Sequence, residues 1–152
     1  MFRVSCIQLC SSNNVDFNLK KTKKLFLKAV KQRTDFILTP EVSSKITLDK
    51  KKLLKTATTM EKDFYLNAIR SLAKKYKKWV LIGSLILKIK NKLVNRSVLI
   101  SASGKINCYY DKIHMYDAKL SSKEKYNESK IFQAGKKIKI AKLPWGKLGL
   151  SI

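Results

Sequence analysis

The sequence predicts an α/β domain built on a mixed β-sheet with two helices. Within the first 40 residues a short apolar segment, an amphipathic stretch and a second short apolar segment succeed one another, the order of two parallel strands joined by a crossover helix. Two further apolar runs, 79–89 and 93–102, are separated only by Lys90-Asn91-Lys92, a link short enough for an antiparallel hairpin. With 152 residues, 45% hydrophobic and 9% aromatic, the chain lies outside the disordered and collagen-like classes. Residues 1–152 are expected to form one domain, since a chain of this size buries roughly 68–70% of its unfolded surface.

Residues 2–9 read as a strand. No charged segment precedes them and no long helical apolar core succeeds them, so they do not read as a signal peptide. Asn13 or Asn14 offers an N-cap, after which Val15, Leu19, Leu25, Phe26, Ala29 and Val30 recur at helical spacing. Residues 35–39 form a short strand closed by Pro40, which holds Thr39 extended. A lysine-rich connection, 45–55, leads to a second helix over 61–78 with Phe64, Ala68, Ile69, Leu72 and Tyr76 on one face. The apolar run 79–87 falls far short of the ~20 residues of a membrane-spanning helix and reads as a buried strand. A further strand covers 106–111, a long irregular stretch 113–130 holds most of the polar chemistry, and 137–143 and 147–152 are strands around Pro144-Trp145-Gly146. The last residues lie inside an apolar strand whose backbone and side chains need cover, so the expectation is a piece of a larger domain.

The formal net charge is +24, from 34 Lys and Arg against 10 Asp and Glu. Only Arg3, Arg33, Arg70 and Arg96 are arginine, the residue that supplies most bidentate phosphate and base contacts. The lysines are scattered and are not interleaved with stacking aromatics. They read as a solvated surface, and no specific nucleic acid is expected; a basic, non-catalytic module for nucleic acid or anionic surfaces is the alternative from another class. Cys6, Cys10 and Cys108 suit neither a zinc site nor a disulfide framework, which fits a reducing, cytoplasmic setting. With no Gly-rich phosphate loop and no metal-ligand spacing, no cofactor or metal is expected.

Four segments carry candidate chemistry: Thr39-Pro40-Glu41, Asn95-Arg96-Ser97, the stretch from Tyr110 to Asp117, and Tyr126-Asn127-Glu128-Ser129. Glu41 comes directly after a strand apolar on both faces and so emerges at the carboxyl edge of a sheet, where open α/β folds place ligands; taken alone it also fits an exposed acid paired with a lysine. Strand alternation puts Cys108, Tyr110 and Lys112 on one face, which gives Lys112 a route into a pocket as a fixed charge for an oxyanion, or simply makes it one more lysine. His114, the only histidine, reads as a packed residue and not as a ligand or base. Asn95-Arg96-Ser97 matches a glycosylation acceptor but lies in a strand of a chain not expected to be exported.

In their order, these segments resemble the nitrilase or carbon–nitrogen hydrolase superfamily. The strand ending at Gln8-Leu9, the helix and Asp35-Phe-Ile-Leu-Thr-Pro-Glu41 are similar to its opening unit. Asn95-Arg-Ser-Val-Leu-Ile100, Gly104 and Tyr110-Asp-Lys-Ile-His-Met-Tyr-Asp117 resemble its second signature block. Tyr126-Asn-Glu-Ser129 with Phe132-Gln-Ala-Gly135 is similar to the family's stretch with an additional glutamate, and Gly149-Leu-Ser-Ile152 resembles the strand that leads into its nucleophile. The resemblance implies the first half of an α-β-β-α sandwich with two helices on one face of a mixed sheet. It implies Glu41 as general base, Lys112 as oxyanion partner and Glu128 as an additional active-site glutamate that orients the lysine or substrate. A cysteine nucleophile is implied directly after Ile152, so the 152 residues alone are expected to be inactive. The blocks look most like the branch containing ω-amidase and deaminated-glutathione amidase, which implies a small linear amide such as the ω-amide of a dicarboxylic acid, release of ammonia, no membrane, and a homo-oligomer for the full-length enzyme. Cys108 is no obvious substitute nucleophile, since four strand residues separate it from Lys112 by roughly 13 Å.

Overall fold

The protein is described by a computed structural model covering residues 2–47, 49–121 and 124–152. Its elements are β1 (Val4–Cys6), α1 (Val15–Lys31), β2 (Phe36–Leu38), α2 (Lys50–Thr56), α3 (Phe64–Tyr76), β3 (Trp79–Ile89), β4 (Lys92–Ile100), β5 (Ile106–Asp111), β6 (Asp117–Lys119), β7 (Lys125–Asn127), β8 (Lys139–Leu143) and β9 (Gly146–Leu150). A five-stranded sheet in the order β1-β2-β3-β4-β5 organises them. The first three strands are parallel and the last three antiparallel, which makes the sheet mixed.

Local chemistry sets the helix limits. Asn14 Oδ1 accepts the Phe17 amide at 3.0 Å and Asp63 Oδ1 accepts the Leu66 amide at 2.8 Å, so each main helix begins where a side chain satisfies an orphan N–H. Asp16 sits in the first turn of α1, and Lys28 and Lys31 in its last, in keeping with the helix dipole. Both helices lay their apolar stripes on one sheet face: Leu19, Phe26 and Ala29 from α1 and Leu66, Ile69 and Ala73 from α3 pack on Ile37, Val80, Ile82, Val94, Val98 and Ile100. The opposite face holds a second cluster, in which Ala141 and Leu150 of the β8–β9 hairpin cover Phe36, Leu99 and Tyr110. The alternation of the strands thus feeds two separate layers. No helix among the described residues is long and apolar enough to cross a membrane.

The structure departs from the sequence-based expectation in three places. The first strand is confined to Val4–Cys6, because β2, its neighbour in the sheet, offers three pairing positions. The lysine-rich connection contains α2, capped by Asp49 Oδ1 accepting the Lys52 amide at 3.0 Å and anchored by buried Leu53. The stretch 113–130, expected to be irregular, holds the β6–β7 hairpin and a 3-10 turn, Glu128–Lys130.

Candidate active site

Glu41 leaves the carboxyl end of β2 on a loop bonded to β3. The Val42 amide donates to Ser84 Oγ at 2.8 Å, the Ser84 amide to Pro40 O at 3.3 Å and the Ser43 amide to Ser84 O at 3.1 Å. Gly83 makes this approach possible, since a Cβ there would fall on the Thr39 carbonyl oxygen. Val42 is held at a φ of +49°, a left-handed conformation rare for a β-branched residue and typical of backbone fixed at functional sites.

Lys112 stands directly after the last residue of β5, and its backbone extends the ladder: its amide donates to Asn95 O at 2.9 Å, and its carbonyl accepts the Gly135 amide at 2.8 Å. A Cβ on Gly135 would collide with the Asp111 carbonyl oxygen, so this glycine lets the 132–135 segment lie directly on the lysine's strand. Tyr110, two residues earlier, is buried in the second cluster with Cys108 packed against it, and the Lys112 side chain is only 10% exposed.

The third member arrives from the segment expected to be irregular. Glu128 opens the 3-10 turn after β7. It is clamped to Tyr116 twice, its own amide donating to Tyr116 O at 3.3 Å and its Oε2 accepting the Tyr116 amide at 2.8 Å. Asp117 Oδ1 accepts the Ser129 amide at 3.0 Å, and hydrogen bonding to Ser129 is the main cause holding the Asp117 carboxyl below its usual value.

The structure brings all three sequence-predicted site residues together. Lys112 Nζ lies 3.0 Å from Glu41 Oε1 and 2.9 Å from Glu128 Oε2. Burial works to lower the lysine's pKa, but hydrogen bonds and charge from Glu128 and Glu41 outweigh it and hold the ammonium above its ordinary value. A cavity of about 330 Å³ opens beside the cluster, lined by Glu41, Glu128, Ile86, Tyr116, Tyr126 and Phe132 among others. A carboxylate beside an apolar cavity can move a proton, and the fixed ammonium next to it can stabilise a developing oxyanion.

The other candidates fall elsewhere. His114 is exposed and not packed, because the chain after Lys112 runs over the surface. All three cysteines are free, and burial pushes the Cys108 thiol up, the reverse of an activated thiolate. Among the described residues no group of three or more His, Cys, Asp or Glu side chains is placed to hold a metal ion. Sequence reasoning singled out Asn95-Arg96-Ser97 but gave Asn95 no role at the site, where its Nδ2 donates to Glu41 Oε1 at 2.7 Å. Its signal was three consecutive polar residues, Asn95-Arg96-Ser97, all buried between the apolar pairs Leu93-Val94 and Val98-Leu99.

The chain belongs to the carbon–nitrogen hydrolase family, whose sequence profile matches residues 3–152. Among curated relatives it is 30% identical to the deaminated glutathione amidase of Dictyostelium discoideum, over 99% of this chain and 54% of that protein. The Caenorhabditis elegans NitFhit structure superimposes with a TM-score of 0.87 at 27% identity, covering 99% of this chain and 38% of that one. A mutant of the amidase from Nesterenkonia sp. AN1, solved with acrylamide added at its active site cysteine, shares the fold with a TM-score of 0.79 at 16% identity, covering 98% of this chain and 56% of that one. The chain therefore spans about half the length of the deaminated glutathione amidase it matches.

Proposed function

We propose that the chain supplies the Glu41, Lys112 and Glu128 portion of an amidase site acting on small linear amides, the ω-amides of dicarboxylic acids being the favoured class. The observation that carries this reading is the Lys112 ammonium held between two carboxylates beside the cavity. In the complete protein the nucleophile is a cysteine directly after Ile152. Packing supports that position, since Ile152 joins the cluster that also contains Leu38 and Ile113, the approaches to Glu41 and Lys112.

The chemistry grows out of the groups. Glu41 takes the thiol proton and the thiolate attacks the amide carbonyl carbon, placing a negative charge on the oxygen that Lys112 stabilises. Collapse breaks the C–N bond, Glu41 returns the proton to departing ammonia, and a thioester remains. Glu41 then removes a proton from water, whose oxygen attacks the thioester, releasing the acid and regenerating the thiol. Glu128 orients Lys112 throughout.

The 152 residues alone are then inactive, and the complete protein is a homo-oligomer of the cytoplasm, a setting supported by three free cysteines. A nucleic-acid role has less to rest on: Arg96 is engaged by Asp111, Arg70 by Gly104 O and Arg3 by Gln32 O. The test measures ammonia release from succinamic acid by the complete protein and by residues 1–152. Turnover by the complete protein, lost in Lys112→Ala and absent from the 152-residue chain, is expected. Turnover by the 152-residue chain that Lys112→Ala abolishes overturns the assignment of the nucleophile.

A further inference from the structure

Asn95 is 1% exposed and sits near the middle of β4, opposite Ile86 of β3. Its backbone carbonyl accepts the Lys112 amide at 2.9 Å, which makes the two residues cross-strand neighbours. Its carboxamide donates through Nδ2 to Glu41 Oε1 at 2.7 Å, and Lys112 Nζ reaches the same oxygen at 3.0 Å. Glu41 Oε1 is thus engaged twice, whereas Oε2 has no partner among the described residues. A carboxylate facing a lone ammonium can instead lie across it with both oxygens sharing the cation, which lowers the basicity of both.

We infer that Asn95 is a positioning residue that reserves one oxygen of Glu41 for proton transfer: it pins Oε1 beside Lys112 and so presents Oε2 to the nucleophile. A rigid strand suits the task better than the loop that carries Glu41, because groups on strands hold their geometry more closely. The contact also fixes the carboxamide. Turned over, it would aim its oxygen at a carboxylate; as it stands, Asn95 Oδ1 is buried without a hydrogen-bond partner among the described residues, so the bond to Glu41 is what sets its orientation. The other charged group at the cluster, Glu128, meets Lys112 through its own Oε2 and accepts the Tyr116 amide, so it does not take over the role of Asn95.

The inference rests on Glu41 being the base, and the experiment separates the two. In the complete protein, kinetics on succinamic acid are compared for Glu41→Gln, Asn95→Leu, Asn95→Asp and Ser97→Ala. Ser97 is buried on the same strand and donates to Ile82 O at 3.1 Å. Asn95→Leu is expected to lower kcat about 100-fold with little change in KM, the signature of lost alignment. Asn95→Asp, nearly isosteric, sets a carboxylate against a carboxylate and is expected to move the acid limb of the pH profile of kcat/KM upward by more than about one unit. Ser97→Ala leaves that limb in place. If Glu41→Gln retains activity, the base assignment fails; if Glu41→Gln is inactive while Asn95→Asp keeps the wild-type profile, the inference about Asn95 fails. A readout independent of turnover is the Asn95 carboxamide cross-peak of asparagine-labelled protein. It should shift during acid titration of the wild type and stand still in Glu41→Gln, and a cross-peak indifferent to that substitution overturns the contact.

Discussion

The two ion pairs of Lys112 have nearly equal lengths, 3.0 Å to Glu41 and 2.9 Å to Glu128, yet they should contribute unequally to stability. The lysine side chain is 10% exposed, Glu128 is 24% exposed and Glu41 is 46% exposed. At these separations the difference lies in solvent screening and not in distance. The Glu41 pair approaches the exposed regime, where double-mutant cycles give about 0.2–1 kcal/mol. The Glu128 pair is closer to the buried regime, and Oε2 also accepts the Tyr116 amide, so its coupling should reach about 1–3 kcal/mol. Two cycles measure this by urea denaturation at pH 7, one with Lys112→Met and Glu128→Gln, the other with Lys112→Met and Glu41→Gln. The catalytic ranking should be the reverse, with Glu41→Gln abolishing turnover more completely than Glu128→Gln. If the Glu41 cycle shows the larger coupling, or if both cycles are additive within about 0.3–0.5 kcal/mol, then burial does not set the strength of this cluster and the reasoning fails.

Three further outcomes rest on single contacts. Gly135→Ala drives a Cβ into the Asp111 carbonyl oxygen and should destabilise the protein by about 1–3 kcal/mol in thermal or urea unfolding, with kcat falling because the lysine's strand must move. Asp63→Ala removes the cap of α3 and should cost about 1 kcal/mol without changing kcat. Because the Lys112 ammonium is held above its ordinary value of 10.5 by Glu128 and Glu41 against burial, its contribution is fully present below that value and is lost as pH rises through the higher folded-state value. Lys112→Met should therefore flatten the decline of stability measured above about pH 10.5.

The order of strands and helices could be read from the sequence because each element carries a local signal. Asn14 caps α1, Pro40 closes the segment after β2, and the apolar character of β3 and β4 is sustained over many residues. Local signals fail where stability comes from outside the element. α2 has one buried anchor, Leu53, in a run of lysines, and β6 and β7 are three residues each. The contact of Asn95 with Glu41 spans 54 residues of sequence and connects strand to loop, so no spacing could announce it.

Taken one by one, Glu41 also fitted a surface acid and Lys112 one more lysine, and it was the order of the motifs that singled out the candidate site; in the structure the scarce acids are the informative residues. Each of the ten acidic residues has a definable position in the structure. Asp16 lies in the first turn of α1, Asp49 and Asp63 cap helices, Asp35 accepts the Arg3 amide, Asp117 accepts the Ser129 amide, and Glu124 accepts the Tyr126 hydroxyl. Glu61, in the turn ahead of α3, is held below its usual carboxyl value first by a backbone hydrogen bond and then by Thr59. Asp111 holds Arg96 through two hydrogen bonds of 2.7 and 2.9 Å. Glu41 and Glu128 remain, and both converge on one buried lysine. In a chain of net charge +24 most lysines can be placed anywhere on the surface without structural consequence, whereas a scarce carboxylate sits where a particular N–H or cation needs it. The charge that dominates the composition therefore says little about function, and the few opposing charges locate the chemistry.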